Sequence, residues 1–165
     1  MDTFLEQLVE MKRGGKYYAL LVLLWAAAIA VSVLLFLVFP PLALVGAALA
    51  FYGAYFLSKM LFVEYEYIIT NDCADIDKIT GKSSRKRELS FELSGVESIE
   101  KFNPQKKYGS GFSKKVVAAD LNDPNALVFI IRKGNEKNLL VFAPDDRIKT
   151  AMKKFIPRTV SGSLL

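Results

Sequence analysis

The 42 residues from Tyr17 to Ser58 include no charged side chain. No buried helix of a small soluble domain needs an uncharged run of that length, whereas two membrane-spanning helices do. Tyr17 to Phe39 is an apolar run of 23 residues. At about 1.5 Å rise per residue such a run reaches roughly 34 Å, enough to cross a hydrocarbon core ~30 Å thick. Pro40 and Pro41 then interrupt it. Proline has no N–H to donate and pushes the preceding residue out of the helical region. A second apolar segment runs from Leu42 to about Phe62. Lys59 lies near its end, where a long side chain reaches the headgroups. Backbone polar groups in lipid must be paired internally. Both spans are therefore expected to be helices, joined by the Pro-Pro link as an antiparallel hairpin over residues 16–62.

Flanking cations predict the orientation. Lys12, Arg13 and Lys16 precede the first span, Lys59 closes the second, and the link carries no charge. Basic residues are retained on the cytoplasmic side. The expectation is a multi-pass protein of the cell membrane with both termini cytoplasmic. Ala26-Ala27-Ala28 resembles a leader cleavage region, but Ile29 to Phe39 continues apolar for longer than a leader requires. Small residues recur at four-residue spacing: Ala26 and Ala30 on the first span, and Gly46, Ala50 and Ala54 on the second. Such faces let helices approach closely. Packing within the hairpin is the simpler expectation, with a homo-oligomer contact as the alternative. Ahead of the first span, Phe4, Leu5, Leu8 and Val9 share one helical face, and Gly14-Gly15 follows. Residues 1–15 therefore read as an amphipathic helix, lying on the membrane or packed on the soluble part.

The whole net charge of +5 falls from Lys59 onward, because the three cations and three acids of residues 1–16 cancel. Cys73 is the only cysteine, which excludes an intrachain disulfide and fits a reducing compartment. Histidine is absent, so the commonest general base and transition-metal ligand is missing.

Strand signals begin where the second span ends. Val63, Tyr65, Tyr67 and Ile69 alternate with Glu64, Glu66 and Ile68 at period two. Asn71-Asp72 marks a turn, 74–80 a second strand, and Leu89, Phe91 and Leu93 the apolar face of a third. Further strands are expected within 95–102, 116–121, 126–132 and 138–143, with a Lys-, Gly- and Ser-rich loop over 103–114. Ile148, Met152, Phe155 and Ile156 then repeat at helical spacing after Pro144, Asp145 and Asp146. Pro157 ends that helix, and 158–165 reads as a loose tail. About seven antiparallel strands closed by a C-terminal helix make a mainly β, α+β domain over 63–157.

The segment Tyr65–Asn71 directly after a membrane hairpin, then Asp75-Ile76-Asp77, a basic turn, and Leu89–Val96, resembles bacterial pleckstrin-homology-like (PH-like) domains. The resemblance implies a seven-strand, helix-capped fold beside paired membrane helices. It implies no catalytic residue and no cofactor.

Two basic groups are the candidate contacts for anionic lipid. Lys82, Arg85, Lys86 and Arg87 occupy the turn between the second and third strands. Lys106, Lys107, Lys114 and Lys115 surround Tyr108 and Phe112 in the long loop. Each cation near an anionic leaflet contributes about 1 kcal/mol, less when screened. The simpler reading is a solvated surface with the usual cytoplasmic bias. Gly109 to Lys115 lacks the spacing and the ending of a phosphate loop. Asp75 and Asp77 alternate onto a solvent face, and no histidine is present to activate Cys73. Nucleic-acid binding is disfavoured by the membrane segment. The expected function is a non-enzymatic membrane-anchored interaction module, binding a protein partner or anionic headgroups. The alternative is an accessory subunit of a larger membrane complex.

Overall fold

The structure, a computed structural model, describes residues 3–106, 108–109 and 111–161. Two compact units emerge: residues 12–63 with 80–84, and residues 3–11, 64–79 and 85–161.

The first unit is built on helix α1 (Gly15–Val38) and helix α2 (Pro40–Met60). Phe39 alone separates them, in a non-helical conformation. Pro40 and Pro41 fill the first positions of α2, where a missing N–H costs nothing. An added Cβ at Gly46 would collide with the Leu35 side chain, and the rings of Trp25 and Phe51 meet at 6.1 Å. Nearer the chain entry, Arg13 lies over Phe62. These contacts run in opposite directions along the two helices, so the pair is antiparallel. The hydroxyls of Ser32 and Ser58 donate to the carbonyls of Ala28 and Ala54, both at 2.7 Å, and so need no outside partner. Both helices are long and apolar enough to cross a membrane.

The small residues divide differently from expectation. On α2, Ala43 and Ala54 are buried, and Gly46 and Ala50 are half-buried on the same face. On α1 it is Ala28 that is buried, flanked by half-buried Leu21, Leu24 and Leu35, while Ala26 and Ala30 are exposed. Spacing alone identified a small-residue row on α1. The contact row is instead set by leucines that fill the space left by glycine and alanine on α2.

The second unit begins with a correction. Phe4–Glu10 is a strand, β1, and not a helix. It pairs antiparallel with β2 (Val63–Thr70) in a register running from Phe4↔Thr70 to Glu10↔Glu64. Half-buried Leu5, Gln7 and Val9 alternate with exposed Phe4, Glu6, Leu8 and Glu10. The positions that suggested one helical face are equally met by a strand with apolar groups on both sides. Pairing with β2 decides the matter. Gln7 fastens the strand: its Nε2 donates to the Ala143 carbonyl at 3.1 Å, and its Oε1 accepts from the Asp145 N–H at 2.7 Å.

Strands β3 (Cys73–Thr80) and β4 (Ser84–Glu92) complete a first sheet ordered β1-β2-β3-β4. A 3-10 turn at Leu93–Gly95 leads to β5 (Val96–Lys101). An added Cβ at Gly95 would lie 2.7 Å from the Arg132 carbonyl oxygen, so this close approach requires glycine. The second sheet, ordered β5-β7-β8-β6, adds β6 (Lys114–Val117), β7 (Leu127–Lys133) and β8 (Glu136–Phe142). The all-antiparallel expectation fails at β6, which runs parallel to β8 from Lys114↔Asn138 to Val117↔Val141. That strand is also shorter than the 116–121 segment suggested. Eight strands are present among the described residues, one of them ahead of the helices.

Tyr67, Ile69, Ile76, Leu93, Phe129, Ile131, Leu140 and Phe142 form the centre of one core. Helix α3 (Asp146–Met152) closes it with Ile148 and Met152. The helix is shorter than its apolar spacing suggested, yet Ile156, beyond its end, is still buried in the core. The expected loose tail is ordered at its start: Arg158–Ser161 forms a helical turn, α4, and Val160 packs on the core. Residues 162–165 lie outside the described residues.

Asp145 caps α3, its Oδ1 accepting from the Ile148 N–H at 2.8 Å. Burial pushes its carboxyl pKa up, but the Ile148 and Arg147 hydrogen bonds outweigh burial and hold it below the usual value. Asp145→Ala is expected to cost about 1 kcal/mol in urea unfolding at neutral pH. A lowered folded-state pKa contributes stability that is complete above the unfolded value and fades as pH falls through the folded one. The urea midpoints of the wild type and of Asp145→Ala should therefore converge below about pH 4.

Candidate functional site

Along β2, core-facing Tyr65, Tyr67 and Ile69 alternate with Glu64 and Glu66. Along β3, core-facing Ala74 and Ile76 alternate with Asp75 and Asp77. The acids therefore leave the sheet on the face away from the core. Arg85 and Arg87, on β4, meet them. Arg85 Nη2 lies 2.7 Å from Glu66 Oε2, an ion pair without an aligned N–H···O bond. Arg87 bridges two carboxylates, with Nε 3.1 Å from Asp77 Oδ1 and Nη1 3.0 Å from Asp75 Oδ2. The Asp77 hydrogen bond and the Asp75 charge raise the Arg87 pKa further. Asp77 is 4% exposed, so the expectation of a solvent-facing pair is corrected for it. The arginines were expected in a turn. They are strand residues because the turn is confined to Gly81, Lys82 and Ser83, with Gly81 at φ 62° and Lys82 at φ 57°.

The first basic group is thus divided. Arg85 and Arg87 are neutralised across the sheet. Lys86 is exposed, with no ion pair among the described residues. Lys82 belongs to the helical unit, where its ammonium lies 5.0 Å from the centre of the Phe62 ring.

The second group lies along the second sheet. Its aromatics are partly buried against that sheet. Tyr108 stacks on Phe102 with ring centres 6.1 Å apart, and its hydroxyl accepts from the Asn103 N–H at 3.1 Å. Phe102, Tyr108 and Phe112 pack against buried Val128, Leu139 and Val141. Lys115 and Lys137 lie 5.6 and 5.9 Å from the Phe112 ring. Lys106 pairs with Glu100, which raises the Lys106 pKa, and Lys114 pairs with Glu88 at 3.3 Å. Lys107 lies outside the described residues. Sequence reading found the cations but missed the acids that answer them. Glu66 on β2, and Asp75 and Asp77 on β3, meet Arg85 and Arg87 of β4 only once the strands have paired, so the alternation of the acids did not announce their partners. Glu88 and Glu100 left no sign either.

A cleft of about 310 Å³ lies beside Cys73, Phe91, Glu92, Gly95, Arg132 and Gly134. Its lining carries charges of both signs, Glu92 with Arg132 and Lys133. Arg132 is itself paired with Glu97. Slight desolvation of the exposed sulfur and the neighbouring Asp72 push the Cys73 thiol pKa up, away from the reactive thiolate.

A family model described as Bacterial PH-like domain (DUF6106) matches residues 1–162. The chain belongs to this family. The match takes in both apolar helices and strand β1 as well as the β unit. No curated protein and no solved structure matches the chain.

Proposed function

We propose that this protein is a non-enzymatic, membrane-anchored interaction module. The helix pair inserts in the membrane, and the PH-like unit is held on the cytoplasmic side to bind a protein partner. One observation carries the choice of partner. On the PH-like unit, Arg85, Arg87, Lys106 and Lys114 are answered by Glu66, Asp77, Glu100 and Glu88. Cations already paired with carboxylates have little attraction left for phosphate. The mixed-sign cleft beside Cys73 favours a polypeptide in the same way. The alternative, an accessory subunit held through its helices, draws on exposed Ala26 and Ala30, which leave a small-residue row of α1 unused within the hairpin.

Two measurements test the proposal. Cys73 is exposed and is the only thiol. A membrane-impermeant maleimide should leave it unlabelled in intact cells and label it after permeabilisation. Labelling of intact cells would place the PH-like unit on the wrong side. Gentle detergent extraction should then release an assembly larger than the monomer. A chain truncated after Phe62 should lose that assembly. If the truncated chain keeps it, the contact runs through the helices and the accessory-subunit reading replaces this one.

A further inference from the structure

At one end of the helical unit, the first turn of α1, the last turn of α2 and the β3–β4 turn converge. Gly81 donates its N–H to the Phe62 carbonyl at 2.8 Å and is buried, which pins this turn to the end of α2. An added Cβ at Gly81 would lie 3.1 Å from the Lys59 carbonyl oxygen, and the φ of 62° favours glycine on its own account. The turn cannot easily move away. It therefore holds Lys82 beside Phe62.

Arg13 approaches the same ring, its guanidinium carbon 4.9 Å from the Phe62 centre and 5.3 Å from that of Tyr17. A cavity of about 290 Å³ opens among Arg13, Tyr17, Tyr55, Lys59, Phe62 and Lys82. Three cations line it, and among the described residues no carboxylate does. This sets it apart from the basic groups of the PH-like unit. Leu21, one turn further along α1, forms the wall toward the apolar length of the hairpin. One side is thus cationic and aromatic, and the other is aliphatic.

The geometry points to a binding site for the phosphate headgroup of an anionic glycerophospholipid, formed by Arg13, Lys59 and Lys82 around Phe62. This rests on the proposed membrane insertion. A soluble phosphate shares the headgroup chemistry but has no use for the Leu21 wall. Arg13 can offer a planar fork and the two lysines point charges to one phosphate. Tyrosines at this level suit the interface between headgroups and acyl chains. In sequence, Lys59 stands at the end of an apolar segment and Lys82 in a basic turn. Only the fold joins them to Arg13, across 69 positions of the chain between Arg13 and Lys82.

The test uses the full chain in a mild neutral detergent, with native mass spectrometry reading bound lipid. Short-chain phosphatidylglycerol, phosphatidylcholine and inorganic phosphate are the probes. Phosphatidylglycerol should bind at least about tenfold more tightly than phosphatidylcholine, and Arg13→Ala/Lys82→Ala should weaken it about thirtyfold. Lys86→Ala/Lys115→Ala should leave it unchanged. Lys82→Met keeps the stem over Phe62 and should weaken binding about fivefold, which guards against misfolding of the double variant. Equal binding of the two lipids, or a preference that survives loss of Arg13 and Lys82, overturns the site. Displacement of phosphatidylglycerol by equimolar inorganic phosphate overturns the lipid assignment. Failure of membrane insertion would show separately, as a chain that stays monodisperse without detergent.

Discussion

Tyr67→Ala is expected to unfold the PH-like unit while the two long helices stay formed. Tyr67 is fully buried. Its ring meets Phe142 edge-on with centres 5.3 Å apart, and Phe142 meets Phe129 in the same way at 4.8 Å. Removing the first ring opens a cavity at the head of that aromatic row. Truncations of this kind cost about 3–5 kcal/mol. The hydroxyl adds to the loss. It donates to the Ala118 carbonyl at 2.5 Å and accepts from the Ala143 N–H at 3.4 Å. Both backbone groups are buried, and an orphaned buried polar group costs about 1–3 kcal/mol. A domain of this size has only about 5–15 kcal/mol of stability in total. Tyr67→Phe keeps the ring and loses the hydroxyl alone, so it should cost about 1–3 kcal/mol and leave the unit folded.

Limited proteolysis of the detergent-solubilised chain separates these outcomes. The alanine variant should be cut throughout 85–142, and the phenylalanine variant should resist with a lower urea midpoint. Equal resistance of the alanine variant and the wild type would mean that Tyr67 is not the keystone described. Burial also pushes the Tyr67 phenol well above its ordinary pKa, toward the neutral form. A raised folded-state pKa contributes stability that is complete below the unfolded value and is lost as pH rises. Alkaline unfolding should therefore set in above about pH 10 and coincide with appearance of the phenolate absorbance.

Legibility followed the range of the forces involved. The apolar helices and the alternation of β2 were legible because each is set by neighbours along the chain. Strand β1 was misread because Phe4, Leu5, Leu8 and Val9 satisfy two periods at once, and only pairing with a strand some sixty residues away selects one. The parallel placement of β6 was equally hidden, since no local signal encodes which strand Lys114–Val117 will join. At the candidate sites, residue types were legible and pairings were not. Nothing near Arg87 in sequence announces that it will bridge Asp75 and Asp77, while Lys82, five residues earlier, turns toward Phe62 and the helices.

The second large effect concerns the hairpin. The wild type should resist extraction by alkaline carbonate, and Ile29→Arg/Leu49→Arg should release the chain from membranes. Both residues lie on the exposed surface of the helix pair, away from the contact row of Ala28, Gly46 and Ala54. They stand near the midpoints of α1 and α2. In a bilayer an arginine at mid-helix costs about 2.5–3.5 kcal/mol on the insertion scale, so the pair costs roughly 6 kcal/mol. In water the same changes would be benign, since they place charge on an exposed surface and leave the packing intact. The sign of the effect therefore identifies the solvent. Val22, Leu23, Val33, Leu34, Phe36, Leu37, Leu42, Leu44 and Val45 are all exposed as well. Such a surface is compatible with acyl chains and would drive aggregation in water. The fraction of chain in the carbonate-soluble supernatant measures the outcome. Should the arginine variant stay in the membrane pellet as firmly as the wild type, with its helices intact, the hairpin does not span the bilayer, and the phosphate pocket at its end loses its setting.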